Sequence, residues 1–208
     1  SARPPKSASE SNFIILGAVN AVLILSFIGL LISFKMEKQE VTPQVEPPKQ
    51  ISKEEINQIL CLAENIYFEA RNQGTAGWLG VTNVVLNRKN DSRFPNTVCD
   101  VVYQAHLTES SKTRGQDLPQ GKRVFVPILN KCQFSWYCDN KPDDIKHQDL
   151  FHEIYQFSEL ALTSDVTLKD ITDGATHYHA HYVKPAWRKS KTRTVSIGDH
   201  IFYRWETK

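Results

Sequence analysis

Residues 13–34 read FIILGAVNAVLILSFIGLLISF, a run without a single charged side chain. Its polar residues are Asn20, Ser26 and Ser33. As a helix the run reaches roughly 33 Å, enough to cross the hydrocarbon core of a bilayer. A buried helix of a soluble domain would show a polar face. A cleavable signal peptide would have a shorter apolar core and a small-residue exit, and the SFKMEKQE that closes the run offers none. The chain is therefore expected to divide into a polar tail at 1–12, a membrane helix at 13–34, a tether at 35–51 and a globular domain at 52–208. The tether carries Pro43, Pro47 and Pro48 and no apolar periodicity, which makes it a stiff, extended spacer.

The globular part has little net charge to explain. Lys and Arg number 25 against 23 Asp and Glu, a formal net charge of +2, so no nucleic-acid partner is expected. The four cysteines, Cys61, Cys99, Cys132 and Cys138, form no C-x-x-C pair, which argues against a zinc ribbon. They read either as two disulfides in an oxidising compartment or as buried thiols in a reducing one. If bridged, proximity favours Cys132 with Cys138 and leaves Cys61 with Cys99, one of three connectivities.

Periodicity predicts an α+β domain, helices first and a small antiparallel sheet last. Ser52 and Glu55 are spaced for a capping box. Ile56, Ile59, Leu60, Ala63, Ile66, Tyr67 and Ala70 form a helical stripe, Leu62 and Phe68 widen it, and Gly74 stops it. Further helices are expected at 76–88, 95–103 and 149–162. The polar stretch 106–122 reads as a loop and 124–129 as a short strand. Strands are expected at 177–183, 193–197 and 200–205, with Gly198 and Asp199 turning a hairpin between the last two.

Glu69 is the candidate for chemistry. It lies roughly 120° from the centre of the apolar stripe, at its edge. A carboxyl among apolar groups is pushed toward its neutral form, which suits a general acid that protonates a glycosidic oxygen. The bland alternative is an ion pair with Arg71 or Arg88. Glu64, on the other side of the stripe, is expected to be solvated.

The residues around Glu69, N-I-Y-F-E-A-R, resemble the first motif of the SleB/CwlJ-like cell-wall hydrolases. Further blocks follow in order: N-V-V-L-N-R at 83–88, R-F-P-N-T-V at 93–98, V-V-Y-Q at 101–104, C-Q-F-S at 132–135, D-G-A-T-H-Y-H-A at 173–180 and I-G-D-H-I-F-Y at 197–203. The resemblance covers essentially all of 55–205. It implies a lysozyme-like, lytic-transglycosylase-like core acting on peptidoglycan, with Glu69 as the acid and no cofactor. It also implies substrate contacts from Arg71, Gln133, Phe134, Ser135, His177, Tyr178 and His179. Asn72 departs from the glycine that often follows E-A-R, and 105–131 is longer than many members need.

Trp136 and Tyr137 would extend the sugar-binding surface, unless Phe134 and Trp136 fill a core strand. His177, His179 and His181 alternate and would share one strand face. They read as substrate-lining or structural, or as a zinc site. The last makes a zinc-dependent amidase the second reading of the chain, and an inactive peptidoglycan-binding module the third. His200 reads as hairpin framework. No second carboxyl stands out among Asp139, Asp143, Asp144, Asp170 and Asp173, which favours intramolecular attack by the sugar's own 6-hydroxyl over addition of water.

A wall substrate requires the domain to face outward, toward periplasm or wall, although Arg3 and Lys6 balance Lys35 and Lys38 across the span. Alkaline phosphatase fused after Gln50 is accordingly expected to be active, because that enzyme works only when exported. An inactive fusion, with a cytosolic reporter active at the same site, would reverse the topology.

Overall fold

The computed structural model describes residues 50–165 and 167–206. The tail, the span and the tether up to residue 49 lie outside them, and among the described residues no helix is long and apolar enough to cross a membrane.

The first helix, α1, runs Lys53–Ala70. Ser52 caps it: its Oγ accepts from the Glu55 amide at 3.2 Å, and Glu55 Oε2 accepts from the Ser52 amide at 2.8 Å. This is the expected capping box, which satisfies two otherwise orphaned donors. Ile59, Leu62, Ala63, Ile66 and Ala70 are fully buried. The burial is less complete at the start, where Ile56 and Leu60 remain 39% and 38% exposed. Glu64 is not a solvated surface group as expected; it is half-buried and accepts a hydrogen bond from the Tyr103 hydroxyl.

Gly74, at φ +64°, breaks the helix and opens α2, Gly74–Lys89. A short α3, Val98–Val102, follows. It starts later than the proline at 95 implied, because Thr97 is the cap and accepts from the Asp100 amide at 3.1 Å. The α4 helix is Gln148–Thr163. Helices α2, α3 and α4 all pack on α1, which makes α1 the axis of the core.

Two polar side chains of α1 point inward and set its neighbours. The Tyr67 hydroxyl accepts from the amides of Lys146 and His147 at 3.0 and 3.1 Å, which places the start of α4. Asn65 Oδ1 accepts from Trp136 Nε1 at 3.0 Å, which holds the turn of 3-10 helix at Ser135–Cys138. Buried polar groups with good partners specify one arrangement of a core.

The stretch read as a loop contains a strand. β1, Ala105–Glu109, pairs antiparallel with β2, Phe125–Cys132. Leu107, Phe125 and Leu129 are more than half exposed, so backbone pairing rather than an apolar face carries this arm. Alternation of burial, the usual sign of a strand, is missing for that reason.

The last part forms the expected small sheet: β3 His177–Ala180, β4 Thr192–Ile197 and β5 His200–Arg204, in the order β3-β5-β4 and antiparallel throughout. It meets α2 through Val84, Ala175 and Phe202. Gly80 makes the approach possible, since a Cβ there would stand 2.8 Å from Phe202 Cζ. Gln73, at the α1–α2 junction, donates to Asp199 Oδ2 at 2.7 Å and accepts from the Asp199 amide at 2.9 Å. It ties the β4–β5 hairpin turn to the end of the helix that carries Glu69.

Both disulfides form with the expected pairing. Cys61–Cys99 joins α1 to α3 across a sequence separation of 38, and Cys132–Cys138 closes a separation of 6. Loop closure predicts that the Cys61→Ser, Cys99→Ser pair of changes costs about 4 kcal/mol and the Cys132→Ser, Cys138→Ser pair about 2 kcal/mol. Urea unfolding of the oxidised variants checks the order, and thiol counting on unreduced wild type should find none.

Candidate active site

Glu69 lies in the last turn of α1, beside a cleft of about 400 Å³. Phe68, Arg88, Gln133, Phe134, Ser135 and Tyr178 line the cleft with it. The Tyr178 hydroxyl donates to Glu69 Oε2 at 3.0 Å. Burial raises the pKa of Glu69 above the usual carboxylate range, and it outweighs the opposing effects of the Tyr178 hydrogen bond and the Arg88 charge. The expectation of a desolvated carboxyl is thus met, and Arg88 is a neighbour felt through charge rather than a surface ion-pair partner.

α2 builds the opposite wall, and its polar residues explain why two distant sequence blocks meet. Asn83 Oδ1 accepts from the Ile171 amide at 3.0 Å. Asn87 Nδ2 donates to Asp170 Oδ2 and to the Ala175 carbonyl, both at 3.0 Å. Arg88 Nε donates to the Thr176 carbonyl at 2.7 Å. These bonds clamp the 170–176 segment, which turns through positive φ at Asp173 and Gly174, and so deliver Tyr178 to Glu69.

The candidate substrate residues divide. Gln133 and Ser135 border the cleft, with Phe134 beneath them at 2% exposed. The Gln133 amide donates to the Gln104 carbonyl at 2.9 Å, which fixes the segment. Gln133 and Phe134 form a bend that leads into the 3-10 turn, not a core strand, yet Phe134 and Trp136 are buried all the same.

Arg71 does not reach the Glu69 cleft. Its guanidinium lies 5.2 Å from the Tyr67 ring centroid and borders a neighbouring cavity of about 280 Å³ with Phe68, Trp136, Asp139, Asp143 and Asp144. Phe68 is common to both cavities. Trp136 faces this second cavity, stacked on Phe68 at 4.7 Å, while Tyr137 packs on Tyr103.

The histidines do not act as a set. His177 turns away from the cleft toward Phe94, Trp187 and Trp205, because strand alternation sends it to the face opposite Tyr178. Burial and nearby Arg88 draw its pKa down to about 3, so it stays neutral. His179 borders the cleft, but its ring nitrogens meet the Ala180 carbonyl and the Tyr203 hydroxyl. His181 lies past the end of β3, where Asp199 stands 3.7 Å from its Nδ1. His177 and His179 share a face of β3, both against Trp187, but the strand ends before His181. No group of His, Cys, Asp and Glu among the described residues is arranged to hold a metal.

Among the cleft residues that the sequence does not single out for it are two with titratable side chains buried in the domain. His200 is buried in β5 with its ring 4.8 Å from that of Tyr178. Arg88 is the other. Its signal was available: an arginine at the end of a helix otherwise filled by Val81, Val84 and Val85 has no surface to go to. The carboxyls considered as partners of Glu69 are elsewhere. Asp139, Asp143 and Asp144 line the second cavity, Asp170 accepts from the amides of Thr172 and Gly174, and Asp173 pairs with Arg204 at 2.8 Å.

A family model described as Cell Wall Hydrolase matches residues 72–203. The chain belongs to the cell wall hydrolase family. The matched span begins just after Glu69, takes in the whole α2 clamp and ends within β5. A spore cortex-lytic enzyme of Oceanobacillus iheyensis is 38% identical over 63 residues, which are 30% of this chain and 22% of that protein. The chain therefore matches about a fifth of that relative's length. Among solved structures, the catalytic domain of the SleB protein of Bacillus cereus aligns over 76% of this chain and 94% of its own, with 21% identity and a TM-score of 0.45. The catalytic domain of the germination-specific SleB of Bacillus anthracis gives 76%, 100%, 21% and 0.46.

The raised pKa of Glu69 has a consequence for stability. Where the folded state holds a proton that the unfolded chain has lost, stability falls as pH rises. Unfolded Glu titrates at about 4.3. Wild type should therefore lose stability relative to Glu69→Gln as pH climbs from there through the folded pKa. Urea unfolding of both proteins at pH 4, 6 and 8 (about two-unit steps across that window) checks this, and a constant difference would contradict the burial of the carboxyl.

Proposed function

We propose that the chain is a peptidoglycan-degrading enzyme that cuts the glycan strand between N-acetylmuramic acid and N-acetylglucosamine, with Glu69 as its catalytic acid, and that it works as a lytic transglycosylase. The observation that carries this reading is a desolvated carboxyl in a cleft furnished with amide, hydroxyl and aromatic groups. Such groups suit a sugar, whose hydroxyls need hydrogen bonds and whose faces stack on rings. The family match to cell wall hydrolases supports the substrate class. We read the helical core around α1 as lysozyme-like, the domain as outward-facing, and residues 13–34 as its membrane anchor.

Tyr178 defines which oxygen does the work. Because its hydroxyl donates to Oε2, the acidic proton belongs on Oε1, free to go to the substrate. That proton passes to the glycosidic oxygen, and the C1–O bond breaks with its electron pair on the leaving sugar. Glu69, now a carboxylate, takes the proton from the C6 hydroxyl as that oxygen closes on C1. The product is a 1,6-anhydro end and the acid is regenerated. Addition of water, as a muramidase does it, uses a second carboxylate near the sugar. Among the described residues lining the cleft, Glu69 is the one carboxyl group.

Glu69→Gln should keep the fold and lose at least about 100-fold in activity on purified cell walls, the lower end of general-acid contributions. Circular dichroism and turbidity clearing measure the two. A folded Gln variant that clears walls at the wild-type rate removes the assignment. Mass spectrometry of the muropeptides should find anhydro ends; reducing ends alone would make the enzyme a muramidase.

A further inference from the structure

Arg88 is a buried cation without a counter-charge. It is 4% exposed, at the last turn of α2. Its Nε is committed to the Thr176 carbonyl at 2.7 Å. The rings of Phe94 and Phe134 stand 5.4 and 5.0 Å from the guanidinium carbon. Nη1 is buried with no hydrogen-bond partner, and no carboxylate of the described residues stands within ion-pairing distance of Arg88. Taking a charge out of water costs several kcal/mol unless a partner restores it, and burial draws even this guanidinium down to about 10. A buried group left in this state is a candidate for a functional use.

The groups facing Glu69 narrow the choice. Tyr178 reaches it from β3, while Arg88 from α2, His179 from β3, Tyr182 from the turn after β3 and His200 from β5 border the same cleft. Gln133 and Ser135 are uncharged, and Arg71 is turned into the neighbouring cavity. The Arg and Lys content of the cleft wall is thus Arg88, and its acid content is Glu69.

We propose that Arg88 is the reaction-stage counterion of Glu69: its buried charge and free Nη1–H stabilise the carboxylate that forms when Glu69 gives its proton to the glycosidic oxygen. At rest burial favours the neutral form of Glu69, and no ion pair with Arg88 is made. Once the proton leaves, an anion stands half-buried in a cleft it shares with a guanidinium that has an unused donor, and a tyrosine already donates to Oε2. Arg88 keeps its proton throughout and touches no substrate atom in this role. It is a positioning residue that sets how readily Glu69 ionises. The arrangement resolves a conflict in the site, since burial strong enough to keep the acid protonated would also make it too weak an acid to react.

The inference rests on Glu69 as the acid, and its test is kept apart from that reading. In the full chain carrying ¹³C-carboxyl glutamate and ¹⁵N-arginine, the Glu69 carboxyl is titrated by NMR and assigned with Glu69→Gln. The Arg88 side-chain nitrogens are expected to shift with the Glu69 midpoint. In Arg88→Gln that midpoint should rise by about one pH unit or more, the effect of losing a nearby opposite charge. The alkaline limb of the rate profile should rise with it and kcat fall about tenfold. Arg88→Lys should return the midpoint toward wild type, which a purely structural role would not do. An unmoved midpoint in a folded Gln variant overturns the proposal. So do Arg88 nitrogens that stay flat through the Glu69 titration of wild type, a measurement that decides alone if the Gln variant does not fold. Full activity in Glu69→Gln would instead remove the functional reading and leave the coupling measurable.

Discussion

The polar clamp between α2 and the 170–176 segment is the interaction on which the site depends. Asn83, Asn87 and Arg88 satisfy backbone groups of a turn that has little apolar surface of its own to anchor it. Without those bonds the turn would leave buried carbonyls and amides unpaired, at about 1–3 kcal/mol each. With them, the chain enters β3 at one register, and that register puts Tyr178 rather than His177 over Glu69. The surroundings of the Glu69 carboxyl are therefore set from a helix that does not carry it.

Hydrophobic packing supplies the chemistry and the polar network supplies its direction. α1 is buried on most sides near its end, so the carboxyl it carries loses water and is pushed toward the neutral form. The same environment raises the Tyr178 hydroxyl, lowers His177 to about 3 and lowers Arg88 to about 10. Burial is the first cause in every case. Perturbed groups gathered in one cleft mark it as a candidate functional site.

Much of this was legible in the sequence for identifiable reasons. The capping box at Ser52, the stop at Gly74 and the Gly198–Asp199 turn are local features, determined by backbone donors and allowed φ values. The disulfide pairing followed from proximity along the chain. The failures are equally physical. β1 carries no burial pattern, because its arm is held by backbone pairing alone. Glu64 has no sequence sign that Tyr103, far along the chain, will cover it. The resemblance groups Arg71 with Glu69, but two positions along a helix are roughly 200° apart, so the two side chains border different cavities. The histidines were grouped by alternation, which holds only while the strand lasts, and β3 ends at Ala180.

The sequence by itself determined the α+β character, the helix that presents Glu69 and the family-like order of blocks. These depend on residue spacing and local backbone preference, which short stretches of chain contain in full. Only the tertiary structure decided which groups meet that carboxyl. Tyr178 stands 109 positions from it along the chain, and Arg88 comes from another helix. The effect of burial on a proton's affinity depends on everything within a few ångströms, drawn from α1, α2, the 133–135 stretch and two strands at once. No local pattern encodes that set, because it comes into being only when the elements pack.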